Sequence, residues 1–244
     1  LARRRQRLFL HARGKLVLAA IIEARRIHDG EGEIADPDFT LAHVARHPGL
    51  VIDKRFDHAE YYPTVKIGEQ WWMARNMFYD PGRYTTKIDT MSTVCYDLDP
   101  NNCIKFGGLY TIYWASMLDL DEGAQGICPD GWHIPTRGEW ETLFTTVGDR
   151  AAEDLSIGGT SDFNALYTGY TEVEKRIGKD GQIETYWRFS GLGSITYYWS
   201  STPLRGSGAV SHWAPALVKG NPIVSTGYSG NSNFYSVRCI KNQE

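Results

Sequence analysis

The segment at residues 125–140, QGICPDGWHIPTRGEW, constrains the fold of this 244-residue chain more than any other feature. Residues 128–131 have the composition of a turn, and residues 132–134 are apolar enough for a short buried strand. Thr136, followed three positions later by Glu139, is the capping-box pattern that begins a helix. A turn, a buried strand and a capped helix in immediate succession indicate a scaffold that displays a surface, and they do not indicate a catalytic centre.

The four cysteines permit three pairings. Cys95 and Cys103 lie close together around YDLDPNN, whereas Cys128 and Cys239 bracket the second half of the chain. No CxxC spacing indicates a zinc site, so we favour two structural disulfides, Cys95–Cys103 and Cys128–Cys239. The longer loop, of about 110 residues, would contribute roughly 4–5 kcal/mol to stability in the chain-entropy model. Such bonds persist in an oxidising compartment, which predicts a location outside the cytosol.

The composition is that of a globular protein, and it argues against nucleic-acid binding and against a membrane-spanning helix. Hydrophobic residues make up 42% and charged residues 23%, enough to build a core. The net charge of -3 argues against nucleic acid as a partner. No apolar run reaches the roughly 18 residues that a membrane-spanning helix needs.

Residues 1–60 differ from the rest and are predicted to form a basic N-terminal extension without Trp or Cys. Residues 8–10 and 16–18 suggest a hairpin or one long strand, and a helix over 15–26 is the competing interpretation. A short helix is predicted from Asp38. The extension could be a solvated arm, an electrostatic tether to anionic lipid or glycan, or a strand donated to a neighbouring subunit.

The second predicted unit, residues 61–244, reads as a compact mixed domain. A tight turn at 68–69 predicts a hairpin, and a helix is expected from Thr136 until Gly148 ends it. After residue 160, short apolar runs alternate with polar turns, which is typical of a meander of short strands. The other predicted segments are a loop at 80–104, a buried helix at 110–118, and strands at 167–170, 185–189, 197–201, 212–217, 223–224 and 235–240.

Six blocks within residues 63–240 resemble the Fibrobacter succinogenes major paralogous domain, a family of secreted bacterial proteins. The blocks are TVKIGEQWWMARNMFYD (64–80), VCYDLDPNNC (94–103), FGGLYTIYWASM (106–117), ICPDGWHIPTRGEWETL (127–143), YYWSST (197–202) and YSVRCIKN (235–242). The family is similar to C-type lectin-like domains and to the formylglycine-generating-enzyme fold. The resemblance implies an α+β, C-type lectin-like fold with two helices on a twisted antiparallel sheet, long loops and the N-terminal extension.

The resemblance also implies where a ligand would bind. In related proteins, variable positions lie between the WSS and SVRC blocks, which corresponds here to residues 202–235. Tyr, Trp, Ser and Asn in this window are the residues that binding loops favour, because rigid rings supply contact area and small polar groups adapt their hydrogen bonds. The predicted ligand-binding residues are Arg205, Ser207, His212, Trp213, Lys219, Asn221, Tyr228, Asn231 and Asn233, and the window also holds Ser229.

These features predict a non-catalytic extracellular binding or adhesion module on a bacterial surface structure, secreted across the inner membrane, with a protein or glycan as ligand. The alternative is a structural subunit of a fimbria, filament or envelope complex that assembles through residues 1–60. A minor alternative is an enzyme of the formylglycine-generating type, but that activity needs a redox-capable cysteine pair. The EPN, QPD and WND motifs of calcium-dependent lectins are missing from the sequence.

Two acidic segments are candidate cation sites. Asp97, Asp99 and Asn101 have the spacing that opens a calcium loop, but positions six and twelve of that loop would be Asn102 and Gly108 instead of Gly and Glu. A disulfide-closed polar turn is therefore the prediction there, with calcium as the remaining option. Residues 119–122, which hold two aspartates and a glutamate, are predicted to be a solvated loop; no cofactor is expected.

Candidate histidines and serines have simpler interpretations. His43 and His47 are four residues apart on the predicted short helix and could grip zinc, but no third ligand is evident. His133 lies between apolar residues and is predicted to be a hydrogen-bonded core histidine. Ser200 and Ser201 lack a nucleophile-elbow pattern and are expected to be strand residues.

Overall fold

A computed structural model of the chain describes residues 49–55, 60–79, 93–177, 181–204 and 211–243. The elements predicted within residues 1–48, including the candidate zinc pair His43 and His47, lie outside the described residues. Within those ranges, no helix is long and apolar enough to cross a membrane.

Twelve strands and four α-helices make up the described structure, which is mixed α+β and mostly β. In chain order they are β1 (Gly49–Asp53), β2 (Glu60–Ile67), β3 (Gln70–Met73), β4 (Thr93–Val94), α1 (Pro100–Phe106), β5 (Leu109–Tyr110), α2 (Ile112–Ala115), β6 (Trp132–His133), α3 (Arg137–Val147), α4 (Ala151–Leu155), β7 (Thr168–Ile177), β8 (Ile183–Leu192), β9 (Ile195–Tyr197), β10 (Ser211–Val218), β11 (Ser225–Gly230) and β12 (Ile240–Lys241).

The first sheet joins the two ends of the domain. Its order is β1-β2-β3-β12-β6, and every pairing is antiparallel. The predicted hairpin is confirmed, because Val65 pairs with Trp72 and Gly68 takes the left-handed conformation, φ 58°, that the turn requires. β1 pairs along β2, so this sheet includes residues 49–53, which the sequence had placed in the N-terminal extension.

The second sheet has the order β11-β10-β9-β7-β8, and a two-stranded sheet pairs β4 with β5. Its pairings are antiparallel except for a parallel bridge between Gly169 of β7 and Thr196 of β9. The meander predicted after residue 160 is present, but β7 and β8 are ten residues each and form a longer hairpin than the predicted runs at 167–170 and 185–189. The strand predicted at 223–224 is replaced by β11, which begins at Ser225.

The helices confirm one prediction and correct two. Helix α3 begins after Thr136 with both halves of the capping box formed and ends before Gly148, as predicted. The buried helix predicted over 110–118 is only the four-residue α2. The loop predicted at 80–104 contains the start of α1, because Asp99 accepts a hydrogen bond from a free N–H of the first turn and Pro100 presets its backbone.

Both predicted disulfides are confirmed. The Cα atoms are 4.9 Å apart in Cys95–Cys103 and 5.9 Å apart in Cys128–Cys239. The second bond joins the segment before β6 to the segment before β12. Strands β6 and β12 are neighbours in the first sheet. It therefore fastens the signature segment to the end of the domain.

Arg238, next to that disulfide, is a fully buried cation at the centre of the domain. Its Nε and Nη2 donate to Asn76 Oδ1 at 3.0 and 2.6 Å, and its Nη1 donates to the carbonyls of Met73 and Phe163 at 3.0 and 2.6 Å. The guanidinium carbon also lies 4.4 Å from the centroid of the Phe163 ring. One side chain thus joins β3, the segment before β7 and the end of the chain.

Candidate functional site

The predicted binding window, residues 202–235, forms an antiparallel hairpin at the edge of the second sheet. β10 is an inner strand between β9 and β11, and α3 and α4 pack against it. β11 is the edge strand, and all but one of its six residues are exposed. The window therefore has an inner strand that belongs to the core and an outer strand that faces solvent.

Burial divides the predicted ligand-binding residues into two groups. His212, Trp213 and Asn231 are 1%, 3% and 5% exposed, so their assignment to a ligand-contacting surface is wrong. For Trp213 the physical reason is its packing against α3, where its ring lies 6.5 Å from that of Phe144. Lys219 is exposed, and Tyr228 keeps 42% of its surface exposed.

The remaining predicted residues have smaller roles or lie elsewhere. Asn221 and Asn233 are partly exposed. Asn233 Nδ2 donates to Ser229 Oγ at 2.6 Å, and Ser229 in turn contacts the Tyr235 hydroxyl at 2.7 Å, so this group secures the end of β11. Arg205 and Ser207 lie outside the described residues.

His212, in β10, and Asn231, directly after β11, form a buried polar pair. His212 Nδ1 lies 3.1 Å from Asn231 Oδ1, while His212 Nε2 and Asn231 Nδ2 have no hydrogen-bond partner within the described ranges. Burial lowers the pKa of His212, and the contact with Asn231 opposes that effect without cancelling it. The imidazole is therefore neutral at physiological pH, which suits a core position.

Arg137, the first residue of α3, brings a charged group to the exposed side of Tyr228. Its guanidinium carbon lies 5.9 Å from the centroid of the Trp213 ring. Its Nε donates to Glu141 Oε1 at 2.7 Å, one helical turn further on. This bond first, and the hydrogen bond to the Tyr228 hydroxyl second, raise the pKa of Arg137 above its ordinary value.

Thr202 links this arginine to a separate loop. Its Oγ1 accepts a hydrogen bond from the backbone N–H of Arg137 at 2.8 Å and donates to Glu122 Oε1. Next to it, Ser201 Oγ accepts from the N–H of Gly123 at 2.9 Å. Three segments that are distant in sequence thus meet at the start of α3.

We call this region the Arg137 surface; it comprises Glu122, Arg137, Glu141, Thr202 and Tyr228. Of these residues, only Tyr228 was among the predicted ligand contacts. The sequence marks Arg137 solely as the first residue after a helix cap, and nothing in it indicates that the helix start lies beside β11.

The candidate cation sites have structural roles. Asp99 Oδ1 accepts from the N–H and the side-chain amide of Asn101, both at 3.0 Å, and so caps α1. Asp119 accepts from the backbone N–H of Asp121 at 3.2 Å. Among the described residues, no group of three or more His, Cys, Asp or Glu side chains is placed to hold a metal ion.

His133 is hydrogen-bonded through both ring nitrogens. Nδ1 lies 2.7 Å from Asn242 Oδ1, and Nε2 lies 3.0 Å from both carboxylate oxygens of Glu139. Burial lowers the pKa of His133, but these two contacts outweigh burial and raise it above its ordinary value. The residue joins β6, α3 and the C-terminal segment.

Ser200 and Ser201 are buried, and the Ser201 hydroxyl donates to the Ile134 carbonyl at 3.0 Å. All four cysteines of the chain lie in the two disulfides, and none is free. The described part of the chain therefore presents a surface of exposed polar and aromatic groups on a disulfide-closed scaffold.

One comparison with known proteins agrees with the resemblance at residues 63–240. No curated protein and no solved structure is significantly similar to the chain. The sequence model described as the Fibrobacter succinogenes major domain matches residues 65–241, from β2 to β12. Because that match covers most of the chain, the protein belongs to the Fibrobacter succinogenes major domain family.

Proposed function

We propose that this protein is a non-catalytic, extracellular ligand-binding or adhesion module of a bacterial surface structure. The observation that carries the proposal is the Arg137 surface, where an exposed tyrosine, an arginine and two carboxylates come together beside an edge strand. A protein or a glycan is the ligand that such a surface suits.

The chemistry of Tyr228 supports recognition. Its ring supplies a large rigid contact area, and its hydroxyl lies beside the Arg137 guanidinium. The neighbouring residues of β11 are small and polar, and they leave the ring accessible on the edge of the sheet. A ligand placed there would meet an aromatic face together with hydrogen-bond donors and acceptors held by α3.

The scaffold supports a C-type lectin-like arrangement of the domain. β12, near the end of the chain, lies between β3 and β6, so the beginning and end of the domain are paired side by side. The Cys128–Cys239 bond closes this arrangement. Disulfides of this kind persist in oxidising compartments, which supports the extracellular location and secretion across the inner membrane.

The bonding of the cysteines supports a role without catalysis of the formylglycine-generating type. That chemistry needs a reactive thiol pair, whereas Cys103, Cys128 and Cys239 are completely buried in disulfides. Assembly as a fimbrial, filament or envelope subunit would depend on residues 1–60, most of which lie outside the described ranges.

A binding experiment with two matched tyrosine variants tests the proposal. The intact protein, Tyr228→Ala and Tyr186→Ala are compared on an array of glycans and bacterial surface proteins. Tyr186, on β8, is 44% exposed and serves as the control because its exposure nearly equals that of Tyr228. We expect ligands that the intact protein and Tyr186→Ala retain and that Tyr228→Ala loses by about tenfold or more.

Two results would contradict the proposal: no ligand retained by the intact protein, or ligands that Tyr228→Ala binds as well as Tyr186→Ala does. Unfolding curves of both variants show whether each is folded. Either contradictory result would make a structural subunit assembling through residues 1–60 the leading explanation, and the mass of the assembly formed by the full chain would test it.

A further inference from the structure

A groove of about 310 Å³ lies on the first sheet. Its walls come from the turn and start of β3 and from β12 with the two residues that follow it. The residues that line it include Glu69, Gln70, Trp71, Lys241, Asn242 and Gln243. Its volume is at the lower end of the range for small-ligand sites and suits about one or two sugar rings.

Trp71 provides an accessible aromatic wall. Six of the eight tryptophans are buried, whereas Trp71 is only partly buried. Its neighbour Trp72 points into the core and donates its indole N–H to Gln70 Oε1 at 3.3 Å. Among the described residues, none accepts a hydrogen bond from the indole N–H of Trp71. Trp71 therefore adds to the lining of the groove a partly exposed indole whose N–H has no acceptor among the described residues.

Two of the lining residues, Gln70 and Asn242, are held in place by hydrogen bonds to residues outside the lining. Gln70 is 6% exposed, and its Nε2 donates to the Glu139 carbonyl at 3.0 Å. The N–H of Asn242 donates to the Gly131 carbonyl at 2.9 Å, and its Oδ1 contacts His133 Nδ1 at 2.7 Å. These two side chains therefore lose little conformational entropy when a ligand binds.

The charges of the groove leave one cation uncompensated. Glu69 is neutralised by Lys66, with 2.9 Å between the carboxylate and the ammonium. Lys241 is exposed, and no acidic side chain in the described part of the chain forms an ion pair with it. A ligand carboxylate would therefore be attracted to Lys241, while the ring bearing it lies against Trp71.

We infer that this groove binds an acidic saccharide of the uronic acid class, as a second site separate from the Arg137 surface. The apolar face of a sugar ring packs on an indole ring, and its hydroxyl groups pair with amides such as those of Asn242 and Gln243. The carboxylate of the uronic acid pairs with the ammonium of Lys241.

Calorimetric titration with defined trisaccharides tests the inference. The probes are trisaccharides of α-linked galacturonate and of β-linked mannuronate, each compared with its neutral methyl ester. We expect at least one acid to bind, and Trp71→Ala to weaken that binding by about tenfold or more. Lys241→Gln should weaken binding of the acid by about two- to fivefold and leave binding of the ester unchanged.

Controls separate this site from loss of folding and from the Arg137 surface. Trp71→Phe keeps a ring and should recover part of the affinity that Trp71→Ala loses. Trp187→Phe changes the other partly buried tryptophan, which lies on β8, and Tyr228→Ala changes the Arg137 surface. Both variants should bind the trisaccharide with the affinity of the intact protein.

Three results would overturn the inference. They are failure of the intact protein to bind either acid, unchanged binding by Trp71→Ala, and equal affinity for an acid and its ester. Because the Tyr228→Ala variant reports on the other surface alone, failure of the groove and failure of the proposed function are distinguishable.

Discussion

Two arginines placed over aromatic rings show how this domain separates holding its fold from presenting a surface. Arg238 is fully buried over Phe163, with 4.4 Å from guanidinium carbon to ring centroid. Arg137 stands at the surface over Trp213, at 5.9 Å. The aromatic contact is similar, but the surroundings shift their pKa values in opposite directions.

Burial lowers the pKa of Arg238, and the contact with Tyr198 opposes that effect without cancelling it. No carboxylate among the described residues forms an ion pair with the guanidinium. Its N–H groups are directed instead at two carbonyls, the Asn76 amide oxygen and the Tyr198 hydroxyl. Arg137 has its pKa raised by Glu141 and then by Tyr228. An arginine enclosed by fixed acceptors holds distant segments together, whereas an exposed one with two side-chain partners can exchange a partner for a ligand.

The largest effect is expected when the buried arginine is removed. Arg238→Met leaves the Met73 and Phe163 carbonyls and the Asn76 amide without their donor inside the core. Because each buried acceptor left unsatisfied costs about 1–3 kcal/mol, we expect a loss of about 3 kcal/mol or more in the free energy of unfolding, measured by urea denaturation. Arg137→Met, the surface counterpart, should cost less than about 1 kcal/mol. Equal losses in the two variants would contradict the comparison.

A smaller loss is expected when the cap that positions Arg137 is removed. Thr136→Ala deletes the hydroxyl that accepts from the Glu139 N–H at 3.2 Å and donates to the Glu139 carboxylate at 2.9 Å. Loss of a helix cap costs about 1–2 kcal/mol. Thr145→Ala, further along the same helix, should stay within about 0.5 kcal/mol. Thermal unfolding of the two variants measures the difference.

The pH dependence of stability should include a contribution from His133 beside that cap. Because its folded-state pKa is raised, His133 stabilises the protein fully below its unfolded pKa of about 6.5. This stabilisation is lost as the pH rises through the folded-state pKa. Urea denaturation of the intact protein should show this decline between about pH 5.5 and 8.5. That range runs from about one unit below to about two units above the unfolded-state pKa of histidine. The same decline in His133→Gln would argue against the assignment.

The smallest effect on stability is expected at the exposed tyrosine. Tyr228→Ala removes a ring that is 42% exposed on an edge strand, so the free energy of unfolding should change by about 0.5 kcal/mol or less. A loss as large as that of Thr136→Ala would mean that Tyr228 serves the fold and not recognition. Urea denaturation of the variant alongside the intact protein decides between the two.

Local features of the chain were predictable because their causes lie within a few residues. The capping box of α3 needs only Thr136 and Glu139, and the hairpin of β2 and β3 needs a left-handed glycine between two apolar runs. Helix α1 was missed although its signals, Asp99 and Pro100, are also local, because the adjacent cysteine and Asn-rich segment resembled a loop.

The sequence by itself determined the α+β class, the two disulfides and the family to which the chain belongs. Only the tertiary structure decided which residues of the 202–235 window face solvent. Trp213 and Tyr228 are paired across β10 and β11, yet one is 3% exposed and the other 42%. The physical reason is that burial depends on what packs over a strand, here α3 above β10 and solvent beside β11, and that packing joins residues far apart in the chain.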